Sequence, residues 1–473
     1  MREYLKFFID GAWAGPIEPG PMDVINPATE ASAGQISLAS SADVDRAVNA
    51  AHRAFRNFSR TSRAERISLL EAVIAEYERR APDLADAVTE EMGAPIWLAK
   101  QAQVPAGLAH LKIACDVLKD YRFDEPLGTT RILNEPIGVC GLITPWNWPL
   151  SQITCKLAPA LATGCTVVLK PSEIAPFSAY ILAEVMQAAG TPAGVFNLVN
   201  GIGPVAGAAL SAHPLVDMVS FTGSTRAGID VARNAAPTVK RVSQELGGKC
   251  PVILLGDADL AKSVAWTVST VMRNSGQSCN APTRLLVPER RMEEVITLAR
   301  AAGETQIPGD PRSDAKLGPV VSYAQWSRIQ ALIQKGVDEG AALVLGGAGK
   351  PEGRERGYYV KPTIFANVTN DMTIAREEIF GPVLVILGYE TEAEAIEIAN
   401  DTDYGLCSYV HGEIEHARAV AAELRAGQIV LNGAPVDFAA PFGGYKQSGN
   451  GRERGVHAFS EFLEIKAVVG WQL

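Results

Sequence analysis

Hydrophobic positions in the first hundred residues follow a helical period. In residues 62–80, Leu70, Val73, Ile74 and Tyr77 fall on one face of a helix, with arginine and glutamate on the other. The same spacing predicts a helix over 43–58 and a third over about 82–92, which ends at Gly93. This part of the chain is therefore predicted to be largely helical.

From residue 137 the pattern changes to short apolar runs that alternate with helices. This order is typical of a parallel sheet with helices on its faces. Helices are predicted over 176–189, closed by Gly190, and over about 260–272. The predicted strands of a first block are 137–143, 166–169, 195–199, 216–221 and 239–242, and those of a second block, from 251 to about 445, are 252–255, 284–287, 342–345 and 382–387.

Two blocks of this kind predict two open-sheet domains with a cleft between them. Residues 121–133 and 459–469 fit neither block and have the pattern of extended strands. Exposed strand edges commonly pair with another subunit. The two segments therefore indicate a homo-oligomer, either a dimer or a tetramer.

Composition narrows the class of protein. The chain has 473 residues and a net charge of −10, which argues against a nucleic-acid partner. Its seven cysteines are odd in number and show neither Cys-x-x-Cys nor Cys/His ligand spacing, so we predict no metal site, no disulfide framework and a reducing cytoplasm. The N-terminus lacks signal-peptide features, and no apolar run approaches the ~18 residues of a membrane helix. A soluble cytoplasmic protein without a membrane partner is expected.

Cys279 is the first candidate for chemistry. It lies in a polar loop, 274–280, which follows an apolar helix and contains the helix breaker Gly276. We expect its thiol to be exposed. Cys140, Cys165 and Cys250 lie in or beside apolar strands, where a cysteine is expected to be a small, unreactive hydrophobic residue. The competing interpretation of Cys279 is that it is unreactive in the same way.

Glu245 and Asn147 are two further candidates. Glu245 lies at the end of a strand, where open α/β sheets place their ligands, although a solvated carboxylate is the competing interpretation. Asn147 lies in a turn with two prolines and two tryptophans, which can hold its amide in one pose, or the amide serves only its own turn. The glycine loops 201–207 and 346–350 match neither the dinucleotide fingerprint nor the phosphate loop, and either can be a simple turn.

Taken together, these segments resemble the aldehyde dehydrogenase superfamily over almost the whole chain. The resemblance implies two open parallel-sheet domains, a Rossmann-like cofactor domain (1–117 and 137–247) and a catalytic domain (248–447). It also implies a small strand-based oligomerisation element (118–136 and 456–473). The motifs that carry it are Pro145–Pro149, Leu169–Glu173, Phe221–Thr225, Glu245–Lys249, Gly276–Cys279, Glu377–Pro382 and Pro441–Gly444.

The resemblance also implies the reaction, the NAD(P)-dependent oxidation of an aldehyde to its acid. Cys279 would be the nucleophile, forming a thiohemiacetal and then a thioester. The Asn147 side chain and the Cys279 backbone N–H would form an oxyanion hole. Glu245 would activate the water that hydrolyses the thioester.

The implied cofactor is NAD, with NADP less favoured, because Glu173 would face the 2′ position of the adenosine ribose. Lys170 and Glu173 would bind that ribose, and Glu378 would bind the nicotinamide ribose. The rest of the implied set comprises Gly203 and Pro204 beside the adenine, Ser224 at the pyrophosphate, Phe380 beside the nicotinamide ring, and Thr144, Trp146, Phe221, Gly223 and Leu246.

The implied substrate pocket is more polar than that of a fatty-aldehyde enzyme. Gln152, Arg273 and Asn280 are polar where related enzymes are often apolar, whereas Trp148 and Phe438 keep some apolar wall, and Ser278 completes the set. Arg273 either enters the tunnel mouth or faces solvent. Three alternatives stay open: a CoA-acylating semialdehyde dehydrogenase, a catalytically silent dinucleotide-binding scaffold, and a reductase of acyl phosphates.

Overall fold

The computed structural model describes residues 1–18 and 20–472. Helices Ser41–Phe58 and Arg63–Met92 both begin with a capping box, formed by Ser40 with Asp43 and by Ser62 with Glu65. The predicted break near residue 82 is wrong, because Pro82 lies inside one helix of 30 residues. Buried side chains continue along one face on both sides of the proline, so packing offsets its lost hydrogen bond. The helix ends at a left-handed Gly93, as expected.

The first large sheet has eight strands. Its central strands are parallel, and the edge strands Phe7–Ile9, Ala12–Ala14 and Gly449–Asn450 are antiparallel to their neighbours. The strand predicted at 239–242 instead covers Arg241–Glu245, since Val239 has a left-handed φ of +56° and is exposed. The spatial order is Gly449–Asn450, Arg241–Glu245, Met218–Thr222, Val139–Ile143, Thr166–Lys170, Phe196–Leu198, Phe7–Ile9, Ala12–Ala14.

The second large sheet has seven strands. All neighbours are parallel except the edge strand Ala342–Leu345, whose predicted bounds are confirmed. The spatial order is Ala342–Leu345, Thr363–Ala366, Val383–Tyr389, Arg284–Pro288, Pro251–Leu254, Cys407–His411, Gln428–Leu431.

Both sheets are covered on both faces. In strand Val139–Ile143, Cys140 and Leu142 join one hydrophobic core, whereas Val139 and Ile143 join another. Strand Pro251–Leu254 divides its side chains between two cores in the same way. This burial explains why the strands read as continuous apolar runs and confirms the α/β fold class.

The longer helices connect these strands. Helix Leu260–Met272 has its predicted bounds, and the helix predicted at 176–189 covers Phe177–Ala188. The remaining helices of eight or more residues are Val104–Asp120, Pro149–Thr163, Thr225–Ala235, Met292–Glu304, Tyr323–Asp338, Glu392–Asn400 and Ile414–Glu423. Among the described residues, no helix combines the length and apolar character needed to cross a membrane.

Two three-stranded sheets complete the fold. In one, the central strand Ala31–Ser37 pairs with Arg2–Tyr4 on one side and with Pro21–Asn26 on the other. The other joins the two segments that fitted neither block, because Leu463–Val468 pairs with Thr130–Pro136, which in turn pairs with Asp124–Leu127. The tail was predicted as strand from 459, but the helix His457–Glu461 comes first.

Candidate active site

The three chemical candidates come from three different elements. Glu245 is the last residue of strand Arg241–Glu245, and Asn147 follows the carboxyl end of strand Val139–Ile143, in the same sheet. Cys279 lies in the loop after helix Leu260–Met272, and this helix packs against strands of the second sheet. Ligand sites of open α/β sheets lie at the carboxyl ends of strands, and this is where the three residues meet.

The loop before Cys279 has an unusual backbone. Asn274, Ser275 and Gly276 are all left-handed, with φ values of +55°, +55° and +75°. A Cβ on Gly276 would lie 1.9 Å from the carbonyl oxygen of Gly381, so this position requires glycine. Ser275 Oγ donates to the carbonyl oxygen of Gly318 at 2.8 Å. The loop is therefore held by specific contacts and is not free to move as a surface turn.

Two hydrogen-bond donors lie beside the thiol. Asn147 is buried, and its Nδ2 donates one N–H to the carbonyl oxygen of Gln277 at 3.2 Å, which leaves the second N–H available. Within residues 1–18 and 20–472, the backbone N–H of Cys279 has no protein acceptor. The pair can therefore stabilise an oxyanion formed at Cys279.

Glu245 is a buried carboxyl without a hydrogen-bond partner among the described residues. Burial, together with the nearby Glu453, raises the pKa of Glu245 to about 8, while Lys156 opposes this shift. Lys156 and Glu453 form a buried ion pair. An unpaired carboxyl with a pKa near neutrality is suited to general-base catalysis.

The expectation of an exposed thiol needs correction. Cys279 is half-buried, and burial followed by the charges of Glu245 and Glu378 raises its pKa well above the ordinary value. The thiol is therefore protonated in this arrangement and must lose its proton when it attacks. The other six cysteines are buried.

A cavity of about 650 Å³ opens in front of Cys279. It brings together eight of the residues expected from sequence, and it adds Gln325 and Arg328, which sequence reasoning missed. Its lining comprises Pro145, Trp146, Asn147, Gln152, Thr222, Gly223, Ser224, Gly247, Cys279, Gln325, Arg328, Glu378 and Phe380.

Phe380 and Glu378 are held tightly at one wall of this cavity. Phe380 has a left-handed φ of +58°, its ring lies edge-on to Trp146 at 5.4 Å, and Gln325 Nε2 donates to its carbonyl oxygen at 2.9 Å. Glu378 Oε1 accepts from the N–H of Gly248 at 3.0 Å, and burial raises the pKa of Glu378 to about 7. A Cβ on Gly247 would lie 2.5 Å from Glu378 Oε2, so a side chain at position 247 would displace this carboxyl.

The remaining expected cofactor residues lie on neighbouring elements. Lys170 is buried, and its Nζ donates to the carbonyl oxygen of Pro171 at 2.8 Å and pairs with Glu173 at 3.3 Å. Gly203 and Pro204 are exposed at the start of a π-turn, Gly203–Gly207, whose Gly207 lies against the Lys170 side chain. Ser224 caps helix Thr225–Ala235. Phe221 and Leu246 are buried apolar side chains. Thr144 is also buried, and its hydroxyl has no partner among the described residues.

A second cavity, of about 1740 Å³ including open solvent, reaches the residues that flank Cys279 in the chain. It is lined by four expected substrate residues, Trp148, Arg273, Ser278 and Asn280, whereas Gln152 lines the first cavity. Trp148 Nε1 donates to Ser278 Oγ at 2.8 Å.

Phe438 is not among the residues that line either cavity. Its ring lies edge-on to buried His110 at 5.2 Å and beneath Arg454. The neighbouring Val436 and Asp437 line the second cavity instead.

The sequence matches the profile of the Aldehyde dehydrogenase family over residues 13–468. The chain belongs to the aldehyde dehydrogenase family. A 3-succinoylsemialdehyde-pyridine dehydrogenase from a Pseudomonas species is 58% identical over the full length of both chains. The expectation of an aldehyde-oxidising enzyme is thereby confirmed.

Solved aldehyde dehydrogenase structures share the whole fold. A mutant of aldehyde dehydrogenase C from Pseudomonas syringae, in complex with NAD+ and octanal, is 53% identical with a TM-score of 0.98, covering 98% of this chain and 96% of that one. Betaine aldehyde dehydrogenase from Staphylococcus aureus, in complex with NAD+, is 34% identical with a TM-score of 0.95, covering 99% and 95%.

This aldehyde dehydrogenase has groups that fit a dinucleotide. The buried hydroxyl of Thr144 has no partner in the described part of the chain. The Glu378 carboxyl lies against Gly247, and both residues line the cavity. Arg328, which is partly exposed and pairs with Glu377 at 3.7 Å, also lines the cavity and adds a positive charge there. Donors, a carboxyl that can accept from ribose hydroxyls, and an apolar ring wall are the features that such a cofactor needs.

Proposed function

We propose that this aldehyde dehydrogenase oxidises an aldehyde to the carboxylic acid with NAD+, through a covalent thioester on Cys279. The observation that carries this proposal is the meeting of Cys279, Asn147 and Glu245: Cys279 and Asn147 line the first cavity, and the Glu245 carboxyl lies beside the Cys279 thiol. The first cavity also holds five of the residues expected to bind the cofactor, Trp146, Gly223, Ser224, Glu378 and Phe380. Four of those expected to bind the substrate line the second cavity, and two of these, Ser278 and Asn280, flank Cys279 in the chain.

In the first half-reaction, Cys279 Sγ attacks the aldehyde carbon, and the thiol proton is released to solvent. The alkoxide that forms accepts hydrogen bonds from the free N–H of Asn147 and from the Cys279 backbone N–H. NAD+, when bound, supplies the two-electron oxidant that converts this thiohemiacetal into a thioester. Thr144, Lys170, Glu173, Ser224 and Glu378 would hold it.

In the second half-reaction, Glu245 takes a proton from water, and the hydroxide attacks the thioester carbon. The carbon–sulfur bond breaks, the carboxylic acid is released, and the Cys279 thiolate takes the proton from Glu245, which regenerates both the thiol and the ionised carboxylate. A buried carboxyl at the thioester supports hydrolysis by water. CoA-acylating relatives resolve the thioester with a thiol and typically lack this residue, so we favour the hydrolytic type.

NAD is the preferred cofactor in this proposal. Glu173 pairs with Lys170 near the turn that contains Gly203 and Pro204. A carboxylate there can accept a hydrogen bond from a 2′-hydroxyl but repels a 2′-phosphate. Because Lys170 partly offsets this repulsion, NADP is disfavoured and not excluded.

The proposed substrate is an elongated aldehyde with a polar or anionic group remote from the carbonyl. Arg273 lines the second cavity, is exposed, and has no ion pair within the described ranges. The 58% identical relative is named for a substrate that carries a pyridine ring, and the 53% identical one binds the eight-carbon octanal. Both names support a long substrate cavity, and the name of the 58% identical relative also supports a substrate with a polar group remote from the aldehyde.

The remaining proposals concern organisation. We propose the domain boundaries expected from sequence, namely 1–117 with 137–247, 248–447, and 118–136 with 456–473. We also propose a homo-oligomer, dimer or tetramer, assembled through the small sheet that contains strand Leu463–Val468. A cytoplasmic location is supported by the seven free cysteines.

Replacing the nucleophile tests the proposed chemistry. Cys279→Ala is expected to abolish NADH production while NAD+ binding, measured by calorimetry, stays close to that of the wild type. Cys115→Ala, a buried cysteine on helix Val104–Asp120, is the matched control and should keep activity within about tenfold. Turnover by Cys279→Ala comparable to the wild type would overturn the proposal.

A further inference from the structure

A buried network of side-chain amides joins Asn147 to the loop that carries Cys279. Its members are Gln103, Asn147, Asn274 and Gln277, and none is more than 3% exposed. The carbonyl oxygen of Gln277 accepts from both Asn147 Nδ2 and Asn274 Nδ2, each at 3.2 Å. Gln277 Nε2 donates back to the carbonyl oxygen of Asn274 at 3.0 Å. The oxyanion donor and the strained loop therefore form one hydrogen-bonded unit.

Gln103 lies outside the loop and is hydrogen-bonded to two members of this unit. Its Nε2 donates to the backbone carbonyl oxygen of Asn147 at 3.2 Å and to Asn274 Oδ1 at 3.3 Å. A longer contact, of 3.5 Å, joins the same nitrogen to Met92 Sδ. Gln103 Oε1 has no partner among the described residues, so the amide nitrogen alone makes its hydrogen bonds.

The backbone places Gln103 here through a local irregularity. Ala99–Gln103 is a π-turn, closed by the N–H of Val104 donating to the carbonyl oxygen of Ala99. Pro105, which follows, has no N–H to offer a regular helical bond. Such insertions in helices are frequent at functional sites.

The network determines which way the Asn147 amide points. One N–H of Nδ2 is committed to Gln277, so the direction of the second is fixed by the position of the Asn147 backbone and of the loop. Gln103 and Asn274 both hold that backbone through its carbonyl oxygen. An oxyanion hole works only when its donors are held in place before the charge develops.

We propose that Gln103 is a positioning residue for the reaction, acting through Asn274 and the backbone of Asn147 to aim the free N–H at the oxyanion. This inference rests on the proposed role of Asn147. Loss of the Gln103 donor should slow the chemical step without affecting cofactor binding. Since deleting one oxyanion donor typically costs about 10²–10³ in rate, misaiming it should lower kcat by about 10- to 100-fold.

A double-mutant cycle tests the proposal, using NADH formation by the full-length enzyme. Gln103→Met keeps the volume and removes both donated hydrogen bonds. We expect its kcat to fall by about 10- to 100-fold with KM for NAD+ within about twofold, and we expect less than about twofold further loss when it is combined with Asn147→Ala. Independent, multiplying losses would overturn the positioning role.

The same cycle separates this inference from the proposed function. If Asn147→Ala alone leaves kcat unchanged, the oxyanion role of Asn147 is wrong. If Asn147→Ala is impaired and Gln103→Met is not, only the inference fails. Asn274→Asp keeps a residue that tolerates left-handed backbone while removing the Nδ2 donor, so it offers a second, independent variant should Gln103→Met fold poorly.

Thr166→Val is the matched control for the loss of a buried hydrogen bond. Thr166 begins strand Thr166–Lys170, at the opposite end from the site, and its Oγ1 donates to the carbonyl oxygen of Ala51 at 3.0 Å. The variant should lower the melting temperature and keep kcat within about twofold. An equal fall in kcat for Thr166→Val would show that Gln103→Met acts only through stability.

Discussion

At the scale of single residues, the effect of burial on the charge of Glu245 opposes its proposed role as a base. The low-polarity surroundings disfavour its charged form and raise its pKa to about 8. The proposed base must nevertheless be ionised to take a proton from water. The active fraction of the enzyme should therefore increase with pH as the carboxyl titrates, and hydrolysis should be faster above pH 8 than at pH 6.

Glu245→Gln should separate the two half-reactions. The change keeps the volume but removes the base, so thioester hydrolysis should slow more than NADH formation. We expect a rapid burst of NADH followed by a very slow steady state, and loss of the rise in steady-state rate with pH. Stopped-flow absorbance at several pH values measures both, and Gln152→Glu, which alters another polar residue of the same cavity, serves as the comparison. A burst slowed as much as the steady state, with no rescue by hydroxylamine, would contradict this role.

Sequence reasoning identified the residues proposed to react but not those that hold them in place. Cys279, Glu245 and Asn147 lie in motifs whose composition is unusual enough to be noticed. Gln103 lies among Lys100, Gln101 and Ala102, and this local pattern resembles a solvated helix face. Its burial results from contacts with Asn147 and Asn274, the latter 171 positions away in the chain, which no local pattern contains.

At the scale of elements, local sequence patterns predicted the ends of some helices correctly but missed longer-range features of the fold. Helix Leu260–Met272 begins after Asp259, whose side chain accepts from the N–H of Lys262, and both bounds were predicted. Separate helices were predicted over 62–80 and about 82–92, but packing along the buried face keeps them in one helix despite Pro82. The hydrophobic pattern left the small sheet as two unassigned segments, and only the family resemblance joined them, because its pairing links residues more than 300 positions apart.

The end of helix Leu260–Met272 also decides where Arg273 can act. The helix ends at Arg273, which lines the second cavity beside Trp148 and Ser278. A charge-assisted hydrogen bond to a substrate carboxylate is worth roughly 1.5–3 kcal/mol, or about 10- to 150-fold in kcat/KM. Arg273→Met should therefore lower kcat/KM for succinic semialdehyde by that factor and leave pentanal within about threefold. An equal effect on both aldehydes, or none, would show that Arg273 does not select the substrate.

At the scale of the whole molecule, the reaction depends on how the two large sheets are joined. The chain passes from strand Arg241–Glu245 of the first sheet to strand Pro251–Leu254 of the second within a few residues. The Gly247–Gly248 segment between them lies against Glu378, from the second sheet's side of the cleft. The proposed base, the proposed nucleophile and the first cavity are consequently linked through one short segment that crosses between the sheets.

The small three-stranded sheet is the surface where we expect subunits to join. Both of its outer strands, Asp124–Leu127 and Leu463–Val468, have one unpaired edge and mostly exposed side chains. Ile465 is 75% exposed and Trp471 is 50% exposed, an unfavourable arrangement for an isolated chain. A second copy of the chain would cover these residues.

Ile465→Lys tests this assembly. The side chain is exposed in the single chain, so the substitution should leave the subunit's melting temperature nearly unchanged, whereas an interface would have to bury the new charge. Light scattering after size-exclusion chromatography should show the mass falling towards the 50.3 kDa of one chain. Ile307→Lys, at a 65% exposed position after helix Met292–Glu304, is the matched control and should keep the wild-type mass. A wild type that already runs at 50.3 kDa, or an Ile465→Lys variant of unchanged oligomeric mass, would exclude assembly through this sheet.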